Sequence, residues 1–121
     1  MVILDEETRR NRGAVAEQMI VVYSKNSIPV RITEERWEHV VRRHPEMETQ
    51  REKVEETISN PDLILRGDFG EFLAVRFYST TPLTKKYMIV AYREISNQEG
   101  FILTAYFTGS PSKRREAIWR R

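Results

Sequence analysis

The chain has 121 residues, no cysteine and a formal net charge of +2, because 20 basic residues nearly balance 18 acidic ones. This length fits one domain with a hydrophobic core of its own. The lack of cysteine excludes disulfides, thiolate nucleophiles and cysteine-ligated zinc. Two histidines are too few for a histidine-rich metal site. We therefore expect no metal and no other cofactor.

The N-terminal sequence MVILDEETRR does not have the pattern of a signal peptide, because acidic residues interrupt it after a few apolar ones. No apolar run approaches the roughly 18 residues that a membrane-spanning helix needs. We therefore expect a cytoplasmic protein with no membrane partner.

Arginine accounts for 15 of the 20 basic residues, which gather at 9–12, 36–43 and 113–121. A guanidinium presents a planar fork of donors that fits phosphate, whereas lysine is a point charge. Arginine clusters on a nearly neutral domain are consistent with a nucleic-acid or phosphate ligand. A protein surface with many salt bridges is the more common cause of such clusters. A nucleic-acid or phosphate ligand and a salt-bridged surface therefore both stay open.

The first predicted elements are an N-terminal arm and a pair of short strands. Residues 1–18 have little apolar periodicity and are expected to form the arm. The apolar, β-branched run Met19–Tyr23 predicts a strand, and residues 28–32 either pair with it or continue it.

A helix is predicted over 34–44. Thr33 is its expected N-cap, and Pro45 ends it by disfavouring helical geometry at the residue before it. The apolar side of this helix, at i, i+3, i+4 and i+7, carries Trp37, Val40, Val41 and His44. A second side carries Arg36, His39 and Arg43. The two histidines therefore face different ways.

A second helix is predicted over 47–58, and strands follow at 63–66, 72–79, 86–94 and 101–108. The connections between these strands are short enough for hairpins. We therefore expect one α+β domain over 19–121, in which two helices pack on one face of a four-stranded antiparallel β-meander. The basic stretch 112–119 is expected to form a short C-terminal helix.

Alternation of apolar and polar residues predicts the two faces of this sheet. The buried face, covered by Trp37, Val40 and Ile58, is expected to hold Leu73, Val75, Phe77, Leu103, Ala105 and Phe107. The opposite, polar face is expected to hold Arg76, Tyr78, Thr104, Tyr106 and Thr108.

The residue types on this polar face suit cleavage of RNA without a metal ion. The ribose 2′-hydroxyl attacks the adjacent phosphate, so the protein supplies no nucleophile. Histidine exchanges protons near neutral pH, and arginine and lysine stabilise the charge that develops on the phosphorane. Tyrosine and threonine hydroxyls orient the phosphate. The common motifs for nucleotide binding, metalloprotease and serine-hydrolase chemistry are absent from the sequence.

Each candidate residue also has a simpler interpretation. His39 fits an ordinary surface histidine, and His44 fits a C-terminal residue that interacts with the helix dipole. Arg76 fits one half of a cross-strand ion pair. Thr104 and Tyr106 fit residues chosen for strand propensity. Lys86 and the Arg114–Arg115 pair fit ordinary charged residues on a solvated surface.

A longer pattern resembles a known family. The segments RWEHVVRRHPEM, ETISNPDLI, KYMIVAYRE and GFILTAYFT follow one another in this order between residues 36 and 108, within a longer pattern over residues 30–119. Their order and spacing resemble the phage-associated branch of the barnase–EndoU–colicin–RelE-like (BECR-fold) nucleases. The resemblance implies two helices on an antiparallel sheet and metal-independent RNA cleavage that leaves cyclic phosphate ends. It also implies a toxin of a toxin–antitoxin or phage-conflict system.

The resemblance assigns catalysis to His39, His44, Thr104 and Tyr106. Arg76 joins them on chemical grounds alone. The expected substrate-binding residues are Arg43, Tyr78, Lys86 and Thr108. The expected partners are RNA and an antitoxin protein, and a homodimer stays open. The alternative is a non-catalytic domain of the same fold that binds nucleic acid or a protein.

Overall fold

The structure is a computed structural model that describes residues 19–121, so the arm predicted at 1–18 lies outside the described residues. A short 3₁₀ helix, Pro45–Thr49, separates the two α-helices, α1 (Glu34–Arg43) and α2 (Arg51–Ser59). The strands are β1 (Met19–Tyr23), β2 (Pro29–Thr33), β3 (Leu63–Arg66), β4 (Phe72–Phe77), β5 (Tyr87–Ser96), β6 (Glu99–Thr108) and β7 (Ala117–Arg120). None of the helices in this described range is long and apolar enough to cross a membrane.

All strands belong to one mixed sheet of seven strands in the order β1-β2-β6-β5-β4-β3-β7. The predicted four-stranded antiparallel meander is therefore wrong as a description of the sheet. The meander from β3 to β6 forms only its centre. The β1–β2 hairpin adds to it through a parallel pairing of Val30 with Gly100 and Arg31 with Phe101. Local sequence does not reveal this pairing, because its partners are far apart in the chain.

The C-terminal helix predicted over 112–119 is also wrong. Residues 117–120 form β7, which pairs antiparallel with β3 and sets Trp119 opposite Ile64. Without β7, the outer edge of β3 would present unpaired backbone groups. Tertiary pairing has overridden the helical propensity of this lysine- and arginine-rich stretch.

The predicted helices are confirmed, with shifted boundaries. The Thr33 hydroxyl caps α1 by accepting a hydrogen bond from the backbone N–H of Arg36 at 3.1 Å. The helix ends before Pro45, as expected. The second helix begins at Arg51 rather than at residue 47, because the 3₁₀ helix occupies the residues before it. Both helices pack on one face of the sheet and contribute Trp37, Val40, Val54 and Ile58 to its core.

The side chains of β4 lie on the faces opposite to those predicted. Ala74 faces the helices, in line with Val90 and Ala105 of the neighbouring strands. Leu73 and Val75 belong to a second apolar cluster, on the face opposite the helices. Their predicted burial beneath the helices is therefore wrong. The alternation of apolar and polar residues could not assign the faces of β4, because Leu73, Ala74 and Val75 are all buried and neither side of the strand is polar there.

A bulge changes the alternation in β6. The register shifts between Ala91 and Tyr92, so Tyr92 pairs with Ile102 while Ala91 pairs with Thr104. Ala105 and Phe107 lie in the core under the helices, as predicted, but Leu103 packs against the second cluster. A single extra residue in one strand produces this change of face.

The face opposite the helices, here called the outer face, holds a second core. It comprises Leu65, Leu73, Val75, Ile89 and Ala91, with Val75 only 1% exposed. Strands β6 and β7 run parallel and are separated by β5, β4 and β3, so the connection 109–116 has to traverse the sheet. The residues of this connection are mostly exposed, and the side chains that pack against the outer-face cluster are Leu63, Tyr87, Leu103, Tyr106 and Ala117.

The sheet is also strongly curved. The ammonium group of Lys25, in the turn between β1 and β2, lies 4.7 Å from the centroid of the Trp119 ring in β7. These two residues belong to opposite ends of the strand order. The curvature of the sheet therefore brings the turn between β1 and β2 to β7.

The buried phenol of Tyr92 gives a prediction about alkaline stability. Its hydroxyl has no hydrogen-bond partner among the described residues, and burial, reinforced by the Glu94 charge, raises its pKa above the ordinary value. Above about pH 10 the unfolded chain ionises this phenol while the folded protein does not, so the free energy of unfolding falls with rising pH. Tyr92→Phe removes this loss.

Between about pH 8 and about pH 11 the free energy of unfolding should fall in both proteins. We expect the fall in Tyr92→Phe to be about 1 kcal/mol smaller than the fall in the wild type. At the lower pH the variant should be at least as stable as the wild type, because it removes a buried hydroxyl without a partner. Urea unfolding at both pH values measures this. Equal alkaline losses in the two proteins would contradict it.

Candidate functional site

A histidine and a tyrosine meet at the edge of β6. Pro45 ends α1 at His44, whose backbone N–H donates to the carbonyl of Val40 at 2.8 Å. The imidazole stacks on the ring of Tyr106, with centroids 5.5 Å apart and planes inclined by 30°. Both side chains are half-buried. The contact forms where β2 no longer pairs with β6, since that pairing involves only Gly100 and Phe101.

Two threonines extend this site along β6 on the outer face. Thr104 pairs with Ala91, Tyr106 with Ile89 and Thr108 with Tyr87. The alternation of β6 therefore puts Thr104, Tyr106 and Thr108 in one row, as predicted. Both threonines are half-buried, and the hydroxyl of Thr108 donates to the carbonyl of Ser110 at 3.2 Å.

Arg76 lies on the opposite face, so its expected position beside Thr104 is wrong. It pairs with Met88 of the helix-side core. One of its guanidinium nitrogens donates to the carbonyl of Asn60 at 2.6 Å, and another forms a 3.3 Å ion pair with Glu56. Arg76 thus ties β4 to the end of α2.

Tyr78 and Lys86 also lie apart from the β6 row. The phenol of Tyr78 donates to the Glu56 carboxylate at 2.7 Å, and burial raises its pKa to about 12. Its backbone N–H donates to the carbonyl of Lys86 at 2.8 Å. Continuing the strand alternation from Met88 puts Lys86 on the helix side as well. The proposed phosphate ligands Arg76, Tyr78 and Lys86 therefore do not share a face with Tyr106.

His39 and Arg43 occupy the solvent-facing surface of α1. His39 is exposed in a shallow hollow of about 370 Å³ that Thr33, Glu35, Arg36 and Arg42 also line. Arg43 is exposed and directly precedes His44. Among residues 19–121 it forms no ion pair. The structure thus separates the two histidines and leaves Arg43 beside His44.

Arg115, which the sequence suggested to be solvated charge, is tied to the turn between β3 and β4. Its guanidinium binds both oxygens of Asp68, at 2.9 and 3.2 Å. This hydrogen-bonded pair lowers the pKa of Asp68 and raises that of Arg115. The basic run 113–115 was visible in the sequence, but only the path of the connection shows where it goes.

An aromatic pair on the outer face was missed as well. Phe77 pairs with Tyr87, which in turn pairs with Thr108. The two rings make an edge-to-face contact with centroids 5.4 Å apart. Phe77 is 49% exposed, whereas alternation predicted it in the core.

Comparisons with protein families, with curated proteins and with solved structures found no match to this chain. Within residues 19–121, no group of three or more His, Asp and Glu side chains is placed to hold a metal ion. The geometry of the site therefore has to be interpreted from its own residues.

The cluster of His44, Tyr106, Thr104 and Thr108 combines an imidazole with hydroxyl donors. The guanidinium of Arg43 comes from the residue next to His44. This combination suits proton transfer at a phosphate ester.

Arg76 gives a prediction that separates a structural role from a catalytic one. Arg76→Met removes the hydrogen bond to Asn60 and leaves Glu56 without its cation, so we expect a loss of about 1–3 kcal/mol in the free energy of unfolding. The matched control Arg43→Met removes an exposed arginine and should change stability by less than about 0.5 kcal/mol. Urea unfolding measures both. Wild-type stability in Arg76→Met would contradict the structural role.

Proposed function

We propose that the chain is a metal-independent ribonuclease that cleaves RNA by attack of the ribose 2′-hydroxyl on the adjacent phosphate. The observation that supports this most directly is the stack of His44 on Tyr106, in one row with Thr104 and Thr108 on the outer face. The resemblance to BECR-fold nucleases points to three of these residues, His44, Thr104 and Tyr106, and also to His39. It also supports a role as a toxin that an antitoxin protein restrains.

In this proposal His44 is the general acid or base. An imidazole exchanges protons near neutral pH, and a positioned acid–base group contributes about 10²- to 10⁴-fold to the rate. The stack on Tyr106 restricts the orientation of the ring. The phenol of Tyr106 and the hydroxyl of Thr104 are donors for the non-bridging oxygens of the phosphate.

Arg43 is the cation that stabilises the developing negative charge. It directly precedes His44, is exposed and is free of ion pairs within the described part of the chain. A guanidinium that is positive before the reaction stabilises the charge on the phosphate as that charge increases.

The proposal assigns catalysis to His44 rather than His39, because His39 lies in a separate hollow with Arg36 and Arg42. It assigns Arg76 and Tyr78 a structural role, because both bind Glu56 on the helix side. Lys86 is left out for the same reason of placement.

One observation favours the alternative of a non-catalytic binding domain. Ion pairs with acidic side chains engage Arg31, Arg51, Arg66, Arg76, Arg115 and Arg121. Two of these, Arg115 and Arg121, belong to the cluster 113–121 that indicated a nucleic-acid ligand, so part of that charge is already compensated within the protein. A direct assay has to decide between cleavage and binding.

The test measures cleavage of total RNA by purified protein in excess EDTA. We expect wild-type cleavage that leaves 2′,3′-cyclic phosphate ends. His44→Ala and His44→Phe should both lower the rate by about 10²- to 10⁴-fold, and the Phe variant keeps an aromatic ring against Tyr106. His39→Ala is the matched control, because it removes a histidine from the same helix, and it should cleave like the wild type.

Thermal melting of every variant checks that lost activity does not reflect unfolding. Loss of wild-type cleavage in EDTA would overturn the metal-independent mechanism. Full activity of His44→Phe, or an equal loss in His39→Ala, would overturn the assignment of His44. A folded wild-type protein that cleaves no RNA would overturn the ribonuclease proposal and favour the binding domain.

A further inference from the structure

The outer face carries an aromatic ring that the proposed cleavage reaction does not use. Phe77 ends β4 with 49% of its surface exposed. Its ring contacts Tyr87 edge to face at 5.4 Å, and Tyr87 in turn packs against the buried cluster of the outer face. One side of the Phe77 ring is thus supported by the fold while much of its surface is open to solvent.

The register fixes where this ring stands relative to the proposed catalytic pair. Phe77, Tyr87 and Thr108 lie side by side across β4, β5 and β6, and Tyr106 is two residues before Thr108 on the same face. Two interstrand spacings and two residues along a strand separate the Cα atoms of Phe77 and Tyr106 by roughly 12 Å. When a phosphate of the RNA is bound at Tyr106, the base of a nearby nucleotide can therefore reach Phe77.

The charges around Phe77 favour a polyanion over an apolar partner. Lys85 is exposed two residues before Tyr87, on the same side by strand alternation, whereas Lys86 lies on the helix side. The nearest acid in the hydrogen-bond network is Asp62, which accepts from the Phe77 backbone N–H at 2.8 Å. Its charge is offset by a 3.1 Å ion pair with Arg121.

We propose that Phe77, supported by Tyr87, is a stacking platform for an unpaired base and that the ligand of the outer face is single-stranded RNA. An exposed aromatic ring stacks on any base, because every base has a π face. In an RNA duplex the bases are already stacked on one another and do not reach such a ring. This inference rests on the proposed function for the choice of RNA, and it adds the requirement for a single strand.

The test measures binding separately from cleavage. The probe is a short, fluorescent 2′-O-methyl oligoribonucleotide, which lacks the attacking hydroxyl, offered as a single strand or as a duplex with its complement. Fluorescence anisotropy should show that wild type prefers the single strand. Phe77→Ala should weaken single-strand binding about tenfold, within the range measured for loss of one stacked base. Phe77→Trp should stay within about threefold of wild type, because it keeps a stacking surface.

The matched control is Phe69→Ala. Phe69 is 78% exposed in the turn between β3 and β4, so its removal tests whether any exposed phenylalanine has the same effect. We expect it to bind like the wild type. Thermal melting confirms that the Phe77 variants are folded.

The outcomes separate this inference from the ribonuclease proposal. Equal binding by Phe77→Ala and wild type, or equal affinity for single strand and duplex, would overturn the platform even if wild type cleaves RNA. Weakened binding by Phe77→Ala without cleavage by wild type would support the platform and overturn the ribonuclease. No binding of either probe by folded wild type would overturn the platform, and a protein partner at Phe77 would become the competing explanation.

Discussion

The central strands of this protein are buried on both faces. In β5 every residue from Met88 to Tyr92 is buried, and in β4 the run Leu73–Val75 is buried as well. A strand of this kind needs apolar cover on each side, since its side chains point alternately to the two faces. The helices provide one cover, and on the outer face Leu63, Tyr87, Leu103, Tyr106 and Ala117 pack around the buried cluster.

The same constraint locates the candidate site. Where the outer face is covered, its residues are apolar; towards the free part of β6 they become Thr104, Tyr106 and Thr108. The end of α1 brings His44 to this boundary, because Pro45 stops the helix beside β6. A polar row, an imidazole and an aromatic pair thus meet at the margin of a rigid apolar cluster. Such support restrains side chains more firmly than a loop does.

The sequence allowed the local features to be predicted, since each depends on nearby residues. Thr33 and Pro45 set the limits of α1, and the alternation of β6 identified Thr104, Tyr106 and Thr108 as one row. The order of strands could not be predicted in this way, because the β2–β6 and β3–β7 pairings join distant segments.

The errors at the site have a related cause. Arg76 and Tyr78 were assigned to the polar face because β4 was given the wrong phase, and the three consecutive buried residues Leu73–Val75 left no signal to correct it. Arg115 was visible as a charge, but its pairing with Asp68 depends on the route of residues 109–116. Phe77 was expected in the core because it is apolar; its exposure depends on where β4 ends.

The place of β7 in the chain also bears on how the protein reaches its native state. This strand follows all the other described strands, and its Ala117 packs against the outer-face cluster, so during synthesis the rest of the sheet can assemble before this contact forms. The edge of β3 then has no partner in the interval. Unpaired strand edges on an incomplete sheet invite association with other chains.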